Sequence, residues 1–210
     1  MNVIFLGAPG AGKGTMAEIV TGRLGIPSIS TGNILREAKA KGTPAGLAAK
    51  EYMDKGELVP DDVVIGVLKD RIAQDDCQKG FILDGFPRTV AQAEALDKMG
   101  VKIDKVIEID IADEKIISRL VDRRVCTKCG ASYHLKNKPT KAEGVCDLCG
   151  GSVEARVDDQ PDVVLSRLKT YHEKTAPLKG YYEKKGILVT VNGENGIEAT
   201  AKPILETLQG

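Results

Sequence analysis

A glycine-rich stretch with one lysine, residues 7–15 (GAPGAGKGT), has the residue types that bind phosphate groups. It directly follows the apolar run at residues 3–6 and leads into a helical pattern at residues 16–24. Glycines let successive backbone N–H groups turn toward one centre, and the N-terminus of a helix adds partial positive charge there. Because Lys13 adds a full charge, the stretch is typical of a loop that binds nucleotide phosphates. A glycine turn that only connects a strand to a helix is the alternative.

Two residues near this loop are candidates for holding Mg²⁺. Asp84 ends an apolar run that predicts a buried strand, and carboxylate oxygens are preferred ligands of Mg²⁺ or of its waters. Thr15 is the weaker candidate, because Gly14 separates it from Lys13 and its hydroxyl comes one residue later than in the common form of the loop. This departure leaves the phosphate cradle itself intact.

Two arginines, Arg88 and Arg36, each end a short motif that is predicted to follow a strand. Gly85 and Pro87 predict a turn that directs Arg88 toward the same opening as the loop. Residues 30–36, STGNILR, place capping residues before a helix that carries Arg36. Planar guanidinium groups match the charge that phosphoryl transfer spreads over the equatorial oxygens. The alternatives are a turn with an incidental salt bridge for Arg88 and a well-capped helix with an exposed arginine for Arg36.

Further arginines recur in the second half of the chain. They are Arg119, Arg123, Arg124, Arg156 and Arg167. Most arginines are solvated surface residues, so each alone is weak evidence. Arg123 and Arg156 carry more weight because they lie at the two ends of a polar stretch that holds four cysteines. Arg167 lies on a helix predicted after Pro161. The apolar face of that helix is expected to run through Val164, Leu165, Leu168 and Tyr171.

The four cysteines form two C-x-x-C pairs, Cys126 with Cys129 and Cys146 with Cys149, with sixteen residues between them. This spacing is typical of a four-cysteine zinc site, and four thiolates leave the metal no open position, so a structural role is expected. Disulfides are the alternative, which a cytoplasmic location disfavours. His134 is surplus to a closed set of four, so we interpret it as a nucleotide-facing or surface residue.

Apolar runs and helical patterns alternate along the chain and predict an α/β fold. Strands are expected at residues 3–6, 28–30, 81–84, 105–110 and 187–191. Helices are expected at residues 33–40, 43–55, 61–73, 90–98 and 114–122. This alternation favours a mostly parallel sheet covered by helices on both faces, with ligand sites at the carboxyl ends of the strands. Residues 31–59 and 123–159 do not follow the alternation and are predicted to be excursions from the core.

Composition limits the class of protein. The 210 residues include 30 basic and 30 acidic side chains, so no overall charge attracts nucleic acid or a membrane. No apolar run has membrane-spanning length, and the N-terminus lacks the layout of a signal peptide, so a cytoplasmic protein is expected. The fifth cysteine, Cys77, is expected to be a small, partly buried apolar residue.

Taken together, these motifs resemble those of bacterial adenylate kinases of the long form with a zinc-binding lid. The resemblance covers essentially the whole chain and rests on GAPGAGKGT, STGNILR, DGFPRT, RRVCTKCG, the second C-x-x-C pair and residues 158–168. It implies a P-loop nucleoside-monophosphate kinase fold with three parts. The core domain is expected at residues 1–29, 60–121 and 160–210, a helical AMP-binding insertion at 30–59 and a zinc-bound lid at 122–159; the latter two are here called the helical insertion and the lid. The family usually has aspartate at Asn33, and asparagine is expected to cap the helix comparably.

The resemblance also implies the binding residues. Those expected to bind ATP are Gly10, Ala11, Gly12, Lys13, Gly14, Thr15, Arg123, Ser132, Tyr133 and Asn195. Those expected to bind AMP are Thr31, Arg36, Glu57, Leu58, Val59, Gly85, Phe86, Pro87, Arg88, Gln92, Arg156 and Arg167. The expected catalytic set is Lys13, Asp84, Arg88, Arg123, Arg156 and Arg167, with Mg²⁺ accompanying ATP and zinc in the lid.

The implied reaction is phosphoryl transfer from ATP to AMP that gives two ADP, by a monomeric enzyme with no nucleic acid or membrane partner. A kinase for CMP or UMP is the nearest alternative, and Gln92, which resembles the adenine-reading residue, favours AMP over it. A nucleotide-dependent switch protein whose cysteine knuckle binds nucleic acid is a second alternative. Zero net charge and an aromatic content of 4% argue against it.

Overall fold

The structure, a computed structural model, describes residues 1–209 and is built around a five-stranded parallel sheet. The strands of this sheet are β1 (Asn2–Leu6), β2 (Ser28–Ser30), β3 (Phe81–Asp84), β4 (Lys105–Asp110) and β8 (Leu188–Asn192). Their spatial order is β2-β3-β1-β4-β8, so the first strand lies in the middle of the sheet. Every neighbouring pair is parallel, which confirms the predicted fold class.

Helices cover both faces of the sheet. They are α1 (Lys13–Leu24), α2 (Thr31–Ala40), α3 (Pro44–Lys55), α4 (Asp61–Ile72), α5 (Val90–Lys98), α6 (Asp113–Val121), α7 (Pro161–Thr170), α8 (Leu178–Lys184) and α9 (Ile197–Gln209). Residues of α1, α6, α7 and α9 form one buried apolar cluster, and residues of α2, α3, α4, α5 and α8 form a second.

The middle strand connects these two clusters. Val3 and Phe5 belong to the first cluster, whereas Ile4 and Leu6 belong to the second. Successive side chains of a strand point to opposite faces, so a strand buried on both faces must be apolar at every position. The uninterrupted apolar run near the N-terminus is therefore explained by its central place.

A smaller antiparallel sheet lies in the lid. Its strands are β5 (Arg123–Cys126), β6 (Ser132–His134) and β7 (Val153–Glu154), in the order β6-β5-β7. Its apolar cluster is small and includes Cys126, Ala131, Tyr133 and Cys146. Three of the few large apolar residues of the lid are exposed: Leu135 by 53%, Val145 by 44% and Leu148 by 77%. Side-chain packing alone therefore gives the lid little stability.

The predicted elements agree with the structure apart from shifts at their ends and one face. Helix α1 begins at Lys13 instead of residue 16, because Gly12 is its N-cap and the helix starts inside the glycine-rich loop. Helix α2 begins at Thr31 instead of residue 33. The expected apolar face of α7 is wrong at Leu165, which is 57% exposed, while Val164 and Leu168 are buried. Cys77, at the end of a 3-10 turn, is an apolar core residue as expected but is more completely buried than predicted.

Among the described residues, no helix combines the length and the apolar character that are needed to cross a membrane.

Candidate active site

The predicted site segments meet at one edge of the parallel sheet. In the register of the sheet, Asp84 of β3 lies beside Phe5 of β1 on one side and Ser30 of β2 on the other. The chain leaves these three strands as the glycine-rich loop, helix α2 and the DGFPR turn. A cavity of about 1400 Å³ opens above this edge and extends between the loop, α2 and the lid.

The glycine-rich loop forms the floor of this cavity. Glycine is required at position 7, where a Cβ would lie 2.6 Å from the carbonyl oxygen of Ile109. Lys13 folds back over the loop, and its Nζ donates to the carbonyls of Gly7 at 2.8 Å and Ala8 at 2.9 Å. Burial lowers the pKa of Lys13 to about 8, and the nearby Asp84 carboxylate opposes this shift. The loop thus places one cation among backbone N–H groups at the start of α1, which is an anion-binding arrangement.

Asp84 stands at the carboxyl end of β3, beside the loop. A Cβ built on Gly14 would lie 3.6 Å from the Oδ2 atom of Asp84, so the carboxylate faces the first turn of α1. Asp84 and Thr15 both line the large cavity. A carboxylate next to a phosphate loop suits Mg²⁺ or its waters, so the residues present fit the ion that accompanies a nucleoside triphosphate.

The turn after Asp84 directs Arg88 into the cavity, as the sequence predicts. Gly85 has φ +76°, and its carbonyl accepts hydrogen bonds from Arg88 Nε at 2.9 Å and from Thr31 Oγ1 at 3.0 Å. The carbonyl of Arg88 accepts from Thr175 Oγ1 at 2.8 Å. Arg88 is therefore held through both its side chain and its backbone.

Three further arginines pair with two adjacent aspartates where the lid rejoins the core. Arg123 donates to both carboxylate oxygens of Asp159, and Arg156 does the same to Asp158. Arg167 of α7 donates to Asp159 Oδ1 at 3.0 Å. These aspartates are not among the predicted site residues, although an acidic pair two residues after Arg156 is a usable signal in the sequence.

The guanidinium groups are partly buried and lie close together, and both features lower their pKa values. Burial, with repulsion from Arg156, lowers the pKa of Arg36 to about 9 and that of Arg123 to about 10. Burial alone would raise the pKa of Asp158, but Arg156 and Arg167 hold it well below its usual range. These arginines stay protonated at neutral pH. Their unfavourable closeness is relieved by anions, so the cluster favours the binding of phosphate groups.

A second, smaller cavity of about 70 Å³ lies beside the helical insertion. It is lined by Thr31, Gly32, Leu35, Arg36, Met53, Gly56, Glu57, Leu58, Val59, Val64, Gly85, Arg88, Gln92, Arg156, Asp158 and Arg167. Gln92 is only 2% exposed. Its Oε1 accepts from the backbone N–H of Arg88 at 2.7 Å, and its Nε2 donates to Asp61 Oδ1 at 2.6 Å. A polar amide is thus presented at the wall of a narrow pocket.

The four paired cysteines of the lid converge as predicted. Their Sγ atoms all lie within 4.8 Å of one another. Cys126 and Cys149 are 3.5 Å apart and Cys129 and Cys146 are 3.6 Å apart, both far beyond a disulfide bond length. Zn–S bonds of about 2.3 Å in a tetrahedron place sulfurs about 3.8 Å apart, so these residues fit zinc.

The lid contacts both α1 and α2 in this structure. Tyr133 of β6 is buried, and its hydroxyl accepts from the N–H of Asp147 at 2.8 Å, which ties the strand to the second cysteine pair. Lys138 forms a 2.5 Å salt bridge with Glu18 of α1. A Cβ on Gly130 would lie 3.3 Å from Asn33 Nδ2, so the lid also reaches α2.

The amino-acid sequence is similar to those of known proteins over nearly its whole length. The model of the family described as adenylate kinase matches residues 5–187. An adenylate kinase of Caldicellulosiruptor saccharolyticus is 55% identical over 99% of each chain. One of Archaeoglobus fulgidus is 55% identical over 100% of this chain and 98% of its own, and one of Carboxydothermus hydrogenoformans is 53% identical over 100% of both.

The chain belongs to the adenylate kinase family. The residues that the adenylate kinase resemblance assigns to nucleotide binding and catalysis line the two cavities with one exception. Phe86 lines neither of them, is fully buried and belongs to the second apolar cluster of the core. Phe86 anchors the turn by packing in this cluster, while Gly85, Pro87 and Arg88 line the cavities.

Asn33, where adenylate kinases usually have aspartate, was expected to cap α2, and the structure gives it another role. Ser30 is the N-cap of α2, and Asn33 lies within the first turn, so its expected capping role is wrong. Its Oδ1 instead accepts a hydrogen bond from Arg36 Nη2. Asn33 therefore orients an arginine of the cavity without adding a negative charge beside it.

The lid side of the large cavity contains one residue that the sequence analysis weighed and left without a role. Arg119 of α6 donates from Nη2 to the carbonyl of Gly193 at 2.8 Å and lines the cavity together with Ser132 and Asn195. Its position four residues before Arg123, close to the start of the stretch with four cysteines, was the available signal. His134 also lines the cavity, and its Nδ1 accepts from the N–H of Lys136 and of Asn137.

Proposed function

We propose that this chain catalyses reversible phosphoryl transfer from MgATP to AMP, which yields two ADP and balances the adenine nucleotides. One observation carries the proposal most strongly. Arg88, Arg156 and Arg167 line both the large cavity above the phosphate loop and the small cavity beside Gln92. Guanidinium groups shared by two adjoining pockets suit a reaction in which a phosphoryl group passes between two bound nucleotides.

The large cavity is assigned to ATP. The residues proposed to bind it are Gly10, Ala11, Gly12, Lys13, Gly14, Thr15, Arg123, Ser132, Tyr133 and Asn195, all of which line that cavity. The phosphates would lie on the N–H groups of the loop, with Lys13 as the main cation. Mg²⁺, near Asp84, would neutralise charge on the phosphates of ATP.

The small cavity and the shared arginines are assigned to AMP. The residues proposed to contact the base of AMP line this cavity and are Thr31, Glu57, Leu58, Val59 and Gln92. Arg36 and Arg88 would bind the AMP phosphate, while Arg156 and Arg167 would close on both nucleotides. The remaining members of the proposed set are Gly85, Phe86 and Pro87, of which Phe86 acts only by supporting the turn.

No general base is required. The attacking group is an oxygen of the AMP phosphate, which carries no proton that must be removed at neutral pH. Catalysis then depends on alignment of attacker and leaving group and on cations preorganised around the transferred group. Closure of the lid excludes water, which would otherwise accept the phosphoryl group.

The lid is proposed to hold one structural zinc on Cys126, Cys129, Cys146 and Cys149. A closed set of four thiolates supplies folding stability and no open position for chemistry. We propose that the helical insertion, the lid and the core, bounded as the resemblance implies, move relative to one another during turnover. A cytoplasmic monomer without nucleic acid or membrane partners agrees with the zero net charge.

A coupled assay of ADP formation tests the proposal. With MgATP and each nucleoside monophosphate in turn, AMP should be the best acceptor, and two ADP should form for each AMP consumed. Faster use of CMP or UMP would assign the chain to a different substrate. ATP hydrolysis without transfer to any monophosphate would favour a nucleotide switch and would refute the proposal.

A further inference from the structure

The amide of Gln92 is fixed in one orientation by two partners of opposite polarity. The N–H of Arg88 can only donate, so the atom 2.7 Å from it must be the oxygen Oε1. The carboxylate of Asp61 is an acceptor, so the atom 2.6 Å from it must be the nitrogen Nε2. The two ends of a buried amide are otherwise hard to distinguish, and here the partners decide between them.

After these two contacts, each end of the amide can still form one more hydrogen bond. Nε2 keeps one hydrogen and Oε1 keeps one lone pair, and Gln92 lines the small cavity. A base that matches this pair has an amino donor beside a ring-nitrogen acceptor. Adenine has that pattern, whereas hypoxanthine and guanine have a carbonyl acceptor beside a ring N–H donor. An amide turned by 180° would match the second pattern instead.

We propose that Asp61 is a positioning residue that fixes the polarity of the Gln92 amide and thereby sets the preference for adenine over six-oxopurines. This inference rests on the proposed function, because it assumes that the monophosphate base lies against Gln92. Asp61 is the first residue of α4 and lies 31 positions from Gln92 in the sequence. It acts through Gln92 and touches no reacting atom.

Comparison of AMP with IMP is the sharpest test, since hypoxanthine has nearly the shape of adenine and the opposite hydrogen-bonding pattern. In Asp61→Ala, Nε2 loses its acceptor and only the contact to Arg88 holds the amide. The ratio of kcat/KM for AMP to that for IMP should fall about tenfold, the usual effect of one hydrogen bond to a charged group. Most of the change should appear in KM, with kcat for AMP within about threefold of its starting value.

Two variants serve as controls. Asp61→Asn keeps an acceptor oxygen in a side chain of the same shape and should retain the ratio within about threefold. Asp62→Ala removes the neighbouring exposed carboxylate from the same first turn of α4 and should leave the ratio unchanged. Asp62 therefore controls for the charge at the start of the helix.

If Asp61→Ala does not fold, Asp61→Ser replaces it, because serine suits the start of a helix but is too short to reach Nε2. Circular dichroism would confirm the fold of each variant. An unchanged AMP-to-IMP ratio in Asp61→Ala or Asp61→Ser, an equal fall in Asp62→Ala, or no rescue by Asp61→Asn would each overturn the inference. Failure of the unaltered enzyme to use AMP would instead overturn the proposed function, so the two failures are distinguishable.

Discussion

Lys138 of the lid and Glu18 of α1 form a 2.5 Å salt bridge between residues 120 positions apart in the sequence. Lys138 Nζ also lies 5.6 Å from the centre of the Tyr133 ring. This bridge joins the lid directly to the helix that begins at the phosphate loop. Any movement of the lid away from α1 would therefore break this contact.

Reversal of one charge in this bridge should weaken lid closure. Glu18→Lys places two cations together, and we expect the KM for ATP to rise about two- to fivefold, since exposed ion pairs contribute about 0.2–1 kcal/mol. The effect should shrink as salt is added. Steady-state kinetics of the double reversal, Glu18→Lys with Lys138→Glu, should return KM toward its starting value. A double variant that is worse than the single one would show that the bridge does not control closure.

Replacement of Arg88 by lysine should cost far more than the retained charge suggests. Its guanidinium is oriented by the 2.9 Å bond from Nε to the carbonyl of Gly85, which lysine cannot reproduce together with a bidentate contact. One preorganised donor is worth roughly 2.7–4 kcal/mol, so kcat should fall about 10²- to 10³-fold. Arg124→Lys is the control, because that side chain contacts the backbone carbonyls of Val121 and Arg123. An unchanged kcat would remove Arg88 from the proposed catalytic set.

Gln92→Leu should raise the KM for AMP about tenfold or more and narrow the preference for AMP over other monophosphates. The structure adds a second effect, because leucine leaves the N–H of Arg88 without its 2.7 Å acceptor. A smaller fall in kcat should therefore accompany the rise in KM. Gln78→Leu, at an exposed glutamine bonded only to Asp75, is the control. Constant relative rates with AMP, CMP and UMP would contradict the assignment of Gln92.

The lowered pKa of the half-buried Lys13 predicts a pH dependence. Burial lowers its pKa to about 8, so the free enzyme should lose this charge as the pH rises through 8, and kcat/KM for ATP should fall. Bound phosphates hold the proton on Lys13, so kcat at saturating ATP should change less. The folded state binds this proton less tightly than the unfolded state. The resulting penalty is full below pH 8 and disappears as the pH approaches the unfolded value of 10.5.

Lys13→Met should therefore raise the thermal midpoint at pH 7, and the gain should shrink above pH 8. Thermal melts at pH 7 and pH 9.5 measure the difference directly. A midpoint that falls at pH 7, in a variant whose circular dichroism spectrum is unchanged, would show that Lys13 is not under strain from burial.

Removal of the lid metal should lower stability more than activity. Metal analysis should find about one zinc per chain, bound by four sulfurs. A chelator, or Cys149→Ser, should lower the thermal midpoint while much of the activity survives at moderate temperature, since bound ATP favours the closed lid. Cys77→Ser is the control, because Cys77 lies in the core far from the cluster in sequence and packing. Immediate loss of all kcat on chelation, with the fold intact, would make the metal catalytic instead.

The sequence predicts the sheet and the site segments well because both depend on local signals. The apolar run of β1 and the glycine spacing around Lys13 depend on residues that are neighbours in the chain. The side-chain contacts that the sequence did not predict join residues that are far apart in the chain: Asp159 with Arg123, and Asp61 with Gln92. Leu165 shows the same limit, since an apolar residue on a helix is buried only if another element covers it.

Asn33 illustrates a limit of the resemblance itself. A family pattern states which residue type is usual at a position, and the expectation of a helix cap came from that type. Whether the side chain caps the helix depends on where the helix starts, and here it starts at Thr31. The local geometry therefore decides the role that the residue type only suggests.

The lid has its own small apolar cluster, separate from the two clusters that flank the central sheet. Substitutions at sites that share no partners usually have additive effects, so mutations around the cysteine cluster and in the core can accumulate independently, unlike mutations at lid residues that contact the core, such as Lys138. Natural selection can thus adjust those residues around the four cysteines that line neither cavity, while the nucleotide pockets stay as they are. The cysteine-bearing end of the lid therefore contains positions that can change freely without altering the residues that line the nucleotide cavities.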